Sequence, residues 1–88
     1  MASLVERFII MQRETLKQAH NFRFTYEGYE FRLIYEGGLA ESFSVLWRKI
    51  GDRNFRHFDG FSAYKLYDKE QVISFAKALV SQKLKDLI

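Results

Sequence analysis

The 88-residue chain contains no cysteine and no proline, and only two histidines. Without thiols there is no disulfide scaffold and no thiolate zinc site. Two imidazoles are too few for a dedicated histidine metal site, so neither a metal nor a cofactor is expected. The lack of proline argues for regular elements rather than linkers. No stretch approaches the roughly 20 apolar residues that span a bilayer. The start, Met1-Ala2-Ser3-Leu4-Val5-Glu6-Arg7, lacks the basic region and apolar run of a signal peptide. A soluble, cytoplasmic-type protein with no membrane partner is the expectation. Gly37-Gly38 is followed by no G-K pair, so it reads as a bend and not as a phosphate loop.

What the chain does have is rings. Nine Phe, five Tyr and one Trp make 17% of the sequence, and each large ring buries roughly 150–250 Å². Eighty-eight residues then suffice for one domain, 1–88, with a dense core. The rings are ordered. Phe22, Phe24, Tyr26, Tyr29, Phe31, Leu33 and Tyr35 share one parity, while Arg23, Thr25, Glu30, Arg32 and Ile34 share the other. Glu27-Gly28 between them is turn chemistry for a two-residue hairpin, which would set Tyr26 opposite Tyr29, Phe24 opposite Phe31 and Phe22 opposite Leu33.

Ser3 and Glu6 form a capping-box pattern ahead of Val5, Phe8, Ile9, Leu16 and Ala19 at helical spacing, which predicts a helix over 4–19. A third strand is expected over 42–50, with Phe43, Val45 and Trp47 on one parity and Trp47 the inward candidate by size. Phe55, Phe58 and Phe61 fall at spacing three, which fits neither a clean strand nor a long helix. A short fourth strand over 53–58 and an irregular connection through Asp59-Gly60 are predicted. Asp68 and Gln71 cap a closing helix whose stripe is Val72, Ile73, Phe75, Ala76, Leu79, Val80, Leu84 and Leu87. The order α-β-β-β-(β)-α predicts an α+β two-layer sandwich: an antiparallel sheet of three to four strands with both helices on one face.

The other sheet face is then open, and candidate binding residues collect there. The hairpin register places Arg23 opposite Arg32, where like charges cost stability unless they grip an anion or splay toward Glu30 and its neighbours. Ile34 and Leu46 lie on the same side. A second group is the basic turn, Arg48, Lys49, Arg53 and Arg56 with His57, interleaved with Trp47, Phe55 and Phe58. Cations beside rings suit single-stranded nucleic acid. The third is the aromatic segment itself: Phe55, Phe58, Phe61, Tyr64 and Tyr67 exceed what one small core needs, and an exposed aromatic patch marks a protein contact. His20 ends the first helix, where its charge would complement the helix dipole. Nothing in the sequence brings it to His57 for acid–base chemistry, and no catalytic residue is assigned.

The leading expectation is a non-catalytic protein-binding module. It would be a regulator, adaptor or inhibitor of the type phages and mobile elements encode, with self-association as a further possibility. Phe55, Phe58, Phe61, Tyr64, Ile34 and Leu46 would meet the protein partner. The alternative is a nucleic-acid-binding module using the turn at 48–57. Arg23, Arg32, Arg48, Lys49, Arg53 and Arg56 are the candidate anion-binding residues for that second use.

Overall fold

A computed structural model describes residues 15–87. The capping box at Ser3 and most of the first predicted helix therefore lie outside the described residues, which begin in helical conformation at 15–17. Then follow β1 (Arg23–Tyr26), β2 (Tyr29–Glu36), β3 (Ser42–Lys49), β4 (Arg56–Ser62) and α1 (Lys69–Leu87). The strands form one antiparallel sheet in the order β1-β2-β3-β4. The inner face is covered by α1 and by the end of the helical segment, whose Leu16 joins the core together with Ala19. The two-layer α+β sandwich expected from the sequence is the fold.

The hairpin forms as its turn chemistry dictates. Glu27 and Gly28 both take positive φ, 53° and 85°, the combination whose twist matches that of the flanking strands. It sets Tyr26 opposite Tyr29, Phe24 opposite Phe31 and Arg23 opposite Arg32. At the open end the pairing is looser than predicted. Asn21 donates its N–H to the Leu33 carbonyl at 2.8 Å, and Leu33 donates to the Phe22 carbonyl at 2.9 Å. Two residues thus face one, with Asn21 in the left-handed region at φ 66°, a bulge-type arrangement.

The two central strands supply the fully buried layer: Phe31 and Leu33 from β2, Phe43 and Val45 from β3. Trp47 points inward as expected, stacked on Tyr29 at 4.9 Å and edge-on to Phe58 at 4.9 Å. From α1 come Val72, Ile73, Ala76, Val80 and Leu84. Phe75 and Leu87, assigned to that stripe from the sequence, are 45% and 60% exposed, so the buried stripe is narrower than the apolar one. The helix start is capped as predicted: the Asp68 carboxylate accepts the Gln71 N–H at 2.8 Å. The Gln71 side chain reaches back to the Tyr67 N–H at 2.7 Å.

The main correction concerns the fourth strand. It runs from Arg56 to Ser62 and passes straight through Asp59 and Gly60, where an irregular connection was expected. The register shifts between Val45 and Leu46, which pair with Asp59 and His57 and leave Phe58 unmatched. One extra residue explains the awkward aromatic spacing: Phe58 is buried and Phe61 packs on the same core although they stand three apart. Gly60 fits for its own reason. A Cβ there would stand 3.2 Å from the Phe43 backbone carbonyl.

Lys83 of α1 locks this bulge. Its ammonium donates to the Phe58 carbonyl at 2.9 Å, lies 5.0 Å from the centre of the Phe58 ring, and pairs with the Asp59 carboxylate at 3.3 Å. A bulge and a charge pair on the outer strand also blunt an edge that could otherwise recruit further strands. The Gly60 N–H, and after it Lys83, hold the Asp59 carboxyl below its ordinary value of 3.8. A lowered folded value means stabilisation that is complete above about pH 4 and lost as pH falls through that lowered value. The pair is about a third exposed, so its worth is small. Asp59→Asn should cost about 0.5 kcal/mol at neutral pH. Urea unfolding should show the difference from the parent protein shrinking as pH falls below about 4 through the lowered value.

Candidate functional site: the open face of the sheet

With the inner face spent on packing, the odd-numbered residues of β1 and the even-numbered residues of β2 and β3 point the other way. Across the sheet they form rows: Thr25, Glu30 and Arg48 in one, Arg23, Arg32, Leu46 and His57 in the next, Ile34, Ser44 and Gly60 in a third. Adjacent strands lie about 4.8 Å apart, so each row is a short, closely spaced line of side chains.

The chain beyond β3 folds back over this face. Gly51 takes φ 101°, Asp52 donates to the Lys49 carbonyl at 2.9 Å and Ile50 to the Gly28 carbonyl at 3.1 Å. The turn returns Phe55 over the sheet, where three guanidinium groups gather on its ring. Arg48 lies 4.4 Å from the ring centre, Arg23 5.6 Å and Arg32 5.9 Å. Each such contact contributes about 0.5–1 kcal/mol when partly exposed.

The three arginines are held in different ways. Arg48 donates to Glu30 through Nε at 3.0 Å and Nη2 at 2.8 Å, and through Nη1 to the Arg53 carbonyl at 3.3 Å, fastening the turn to the sheet. Arg23 reaches the other oxygen of Glu30 at 3.4 Å and is 52% exposed. Among the described residues Arg32 has no carboxylate partner. Its Nε donates to the Asn21 side-chain oxygen at 2.9 Å, and Nη2 shares that acceptor. The left-handed backbone of Asn21 aims that oxygen at the sheet. Glu30 thus serves two arginines, and a neutral amide orients the third. Three positive charges surround one negative charge.

The opposed arginines splay apart. Arg23 turns to Glu30, whereas Arg32 stays over Phe55 with its charge uncompensated. Ile34 and Leu46 lie half-buried on the same face. The aromatic segment does not form one patch. Phe55 belongs to the open face, Phe58 is 7% exposed in the core, and Phe61 is stacked between Phe43 at 5.5 Å and Phe75 at 4.9 Å. Phe58 is thereby withdrawn as a partner-contacting residue, because the bulge turns it inward. Tyr64 is 79% exposed and Tyr67 52% exposed, both before α1. There Lys65, Leu66, Asp68, Gln71, Ser74 and Phe75 line a shallow groove of about 520 Å³.

Lys49, Arg53 and Arg56 of the basic turn are exposed, but the rings expected between them are otherwise engaged. Trp47 and Phe58 face the core, and Phe55 carries Arg48. His20 accepts the Tyr35 N–H through Nδ1 at 2.9 Å, which ties the end of the first helical segment to β2. His57 stands on β4, with β3 between it and β2. Glu30 was expected from the sequence as a counter-ion for the arginines, whereas Asn21, which orients Arg32, was not singled out. An Asn directly after a helical stretch was the available signal, since Asn tolerates the left-handed region.

Among the described residues no group of three or more His, Asp or Glu is placed to hold a metal ion. None of their helices is long and apolar enough to cross a membrane. No protein-family model, curated protein or solved structure matches the chain.

Because Phe55 sits on the surface as a lid rather than within the core, Phe55→Ala should leave the fold intact at a cost of about 1–2 kcal/mol in chemical denaturation. In proton NMR spectra the Arg48 side-chain protons, shifted upfield by the ring in the parent protein, should return to ordinary positions.

Proposed function

We propose that this chain is a small non-catalytic module that binds another protein, as a regulator, adaptor or inhibitor, and that the partner docks on the open face of the sheet. The carrying observation is the arginine cluster held around Phe55 beside the half-buried Ile34 and Leu46. Arginine and aromatic side chains are enriched where proteins meet. Side chains already fixed by Glu30, Asn21 and Phe55 lose less freedom on binding than mobile ones.

The same geometry ranks nucleic acid second. Base stacking uses a bare ring, and the Phe55 ring on this face already carries a guanidinium at 4.4 Å. Lys49, Arg53 and Arg56 are left as cations without an aromatic platform. Self-association through this face is disfavoured as well, since two copies would bring like charges together.

The test is affinity capture from native lysate, with and without nuclease. The bait is the parent protein or the double variant Ile34→Gln, Leu46→Gln, which removes apolar surface and leaves the charge unchanged. A protein captured by the parent chain and lost with the folded double variant is the expected result. Capture that survives the double variant but is lost on Tyr64→Ala would move the docking site to the loop before α1. Capture abolished by nuclease would assign the chain to nucleic acid through Lys49, Arg53 and Arg56.

A further inference from the structure

Resting on the protein-binding reading above, the geometry points to the chemistry of the partner. We propose that Arg23 and Arg32, set over Phe55 and backed by Arg48, form a carboxylate-binding site for Asp and Glu side chains in an acidic segment of the partner protein.

The three cations divide into one structural and two receptive groups. Arg48 spends Nε and Nη2 on Glu30 and Nη1 on the Arg53 carbonyl, and is the least exposed of the ion-paired arginines. It holds Phe55 and the turn in place. Arg32 is oriented from one side through Nε and Nη2 by Asn21, which leaves Nη1 free to donate. Arg23 engages Glu30 through Nη1 alone, at a long 3.4 Å, and its remaining donors face solvent. These two residues are direct cross-strand partners, and both guanidinium groups lie within 6 Å of the same ring centre. Two planar donors side by side on paired strands can offer several N–H groups to one guest. A planar carboxylate accepts such groups in pairs.

Charge decides the sign of the guest. Among the described residues Glu30 is the sole carboxylate paired within the cluster and is already shared by Arg23 and Arg48, so there Arg32 is the uncompensated charge. A guest carboxylate would relieve the repulsion between the two facing arginines, which a neutral guest would leave in place. The surroundings decide between carboxylates and a phosphate backbone. Glu30 lies among the arginines, Glu36 stands further along β2 with Ser44 bound to it at 2.9 Å, and Leu46 adjoins Arg32 in the same row. A surface that alternates positive, negative and apolar suits separated acidic side chains with apolar neighbours. A continuous line of phosphates would meet Glu30 and Glu36 as like charges.

The test titrates the isotopically labelled protein with three probes: a capped hexaglutamate peptide, its hexaglutamine counterpart, and a single-stranded oligothymidylate of similar length. Arginine Nε–H and backbone NMR shifts are followed. The expected result is saturable shifts at Arg23 and Arg32 with hexaglutamate and none with hexaglutamine. Raising salt from about 50 mM to about 300 mM should weaken the effect, because the screening length falls below the size of the cluster. Arg32→Gln can keep the contact to Asn21 and so preserve the fold, yet it should raise the fitted dissociation constant at least about tenfold. Arg53→Gln, on the turn outside the cluster, should leave it unchanged. Hexaglutamate binding that is insensitive to Arg32→Gln, or no binding at all, would overturn the proposal. So would stronger binding of the oligothymidylate, centred on Lys49, Arg53 and Arg56. If hexaglutamate fails while the uncharged double variant still loses its captured protein, the acidic chemistry is wrong and the docking face stands. If hexaglutamate binds but the double variant keeps its capture, the docking reading itself falls.

Discussion

The side-chain alternation of β2 and β3, locked in one register, is the constraint on which everything else hangs. Phe31, Leu33, Phe43 and Val45 fall on one side of this central pair and are almost fully excluded from water. Slipping β2 by one residue would carry Phe31 and Leu33 into solvent and bring Arg32 into the core, and slipping β3 would do the same with Phe43, Val45 and Arg48. Burial on that scale far outweighs any surface contact in the molecule. The Glu27-Gly28 turn then fixes β1 to the same frame through a pair of positive φ angles. Once the inside is set, the positions of Arg23, Glu30, Arg32, Leu46 and Arg48 on the outside follow without further choice.

Against that frame the molecule makes two local departures, and each places a charged or aromatic group that regular geometry would misplace. The extra residue in β4 turns Phe58 inward, leaves Asp59 on the helix side, and lets Lys83 tie α1 to the sheet edge. Asn21, in the left-handed region, turns its side-chain oxygen toward Arg32. Neither departure involves a large energy. Their effect is positional: the first closes the core under an outer strand, and the second fixes a guanidinium that has no carboxylate to hold it.

A face built this way is stiff before anything binds to it. Glu30, the Arg53 carbonyl and the Asn21 amide hold the guanidinium groups, and the Phe55 ring lies among them. Stiffness favours selectivity, because a partner that supplies acceptors at the right places meets donors already in position, whereas one that does not leaves like charges facing each other. The aromatic surplus serves several masters. Most rings pack, Phe55 organises cations, and Tyr64, Tyr67 and Phe75 remain at the surface around the shallow groove before α1.

Period-two alternation, a turn needing two positive φ angles and a capped apolar stripe were enough to determine the sandwich. They also determined the hairpin register and the facing of Arg23 by Arg32, whereas the inward face of β3 was open in the sequence and only size favoured Trp47. These signals are local, and each is written in residues adjacent in the chain or a few positions apart. The path of β4 was not legible, because spacing three is ambiguous until a partner strand shows which residue is the extra one. The division of Phe55 from Phe58 and Phe61 was hidden for the same reason. Only the tertiary structure decided that Phe55 folds over the open face, that Asn21 takes charge of Arg32, and that His20 accepts a backbone hydrogen bond. Those contacts join residues 11 to 32 positions apart whose types predict no pairing. Alternation settles which side of a sheet a residue occupies. The chain's return path settles which residues meet there.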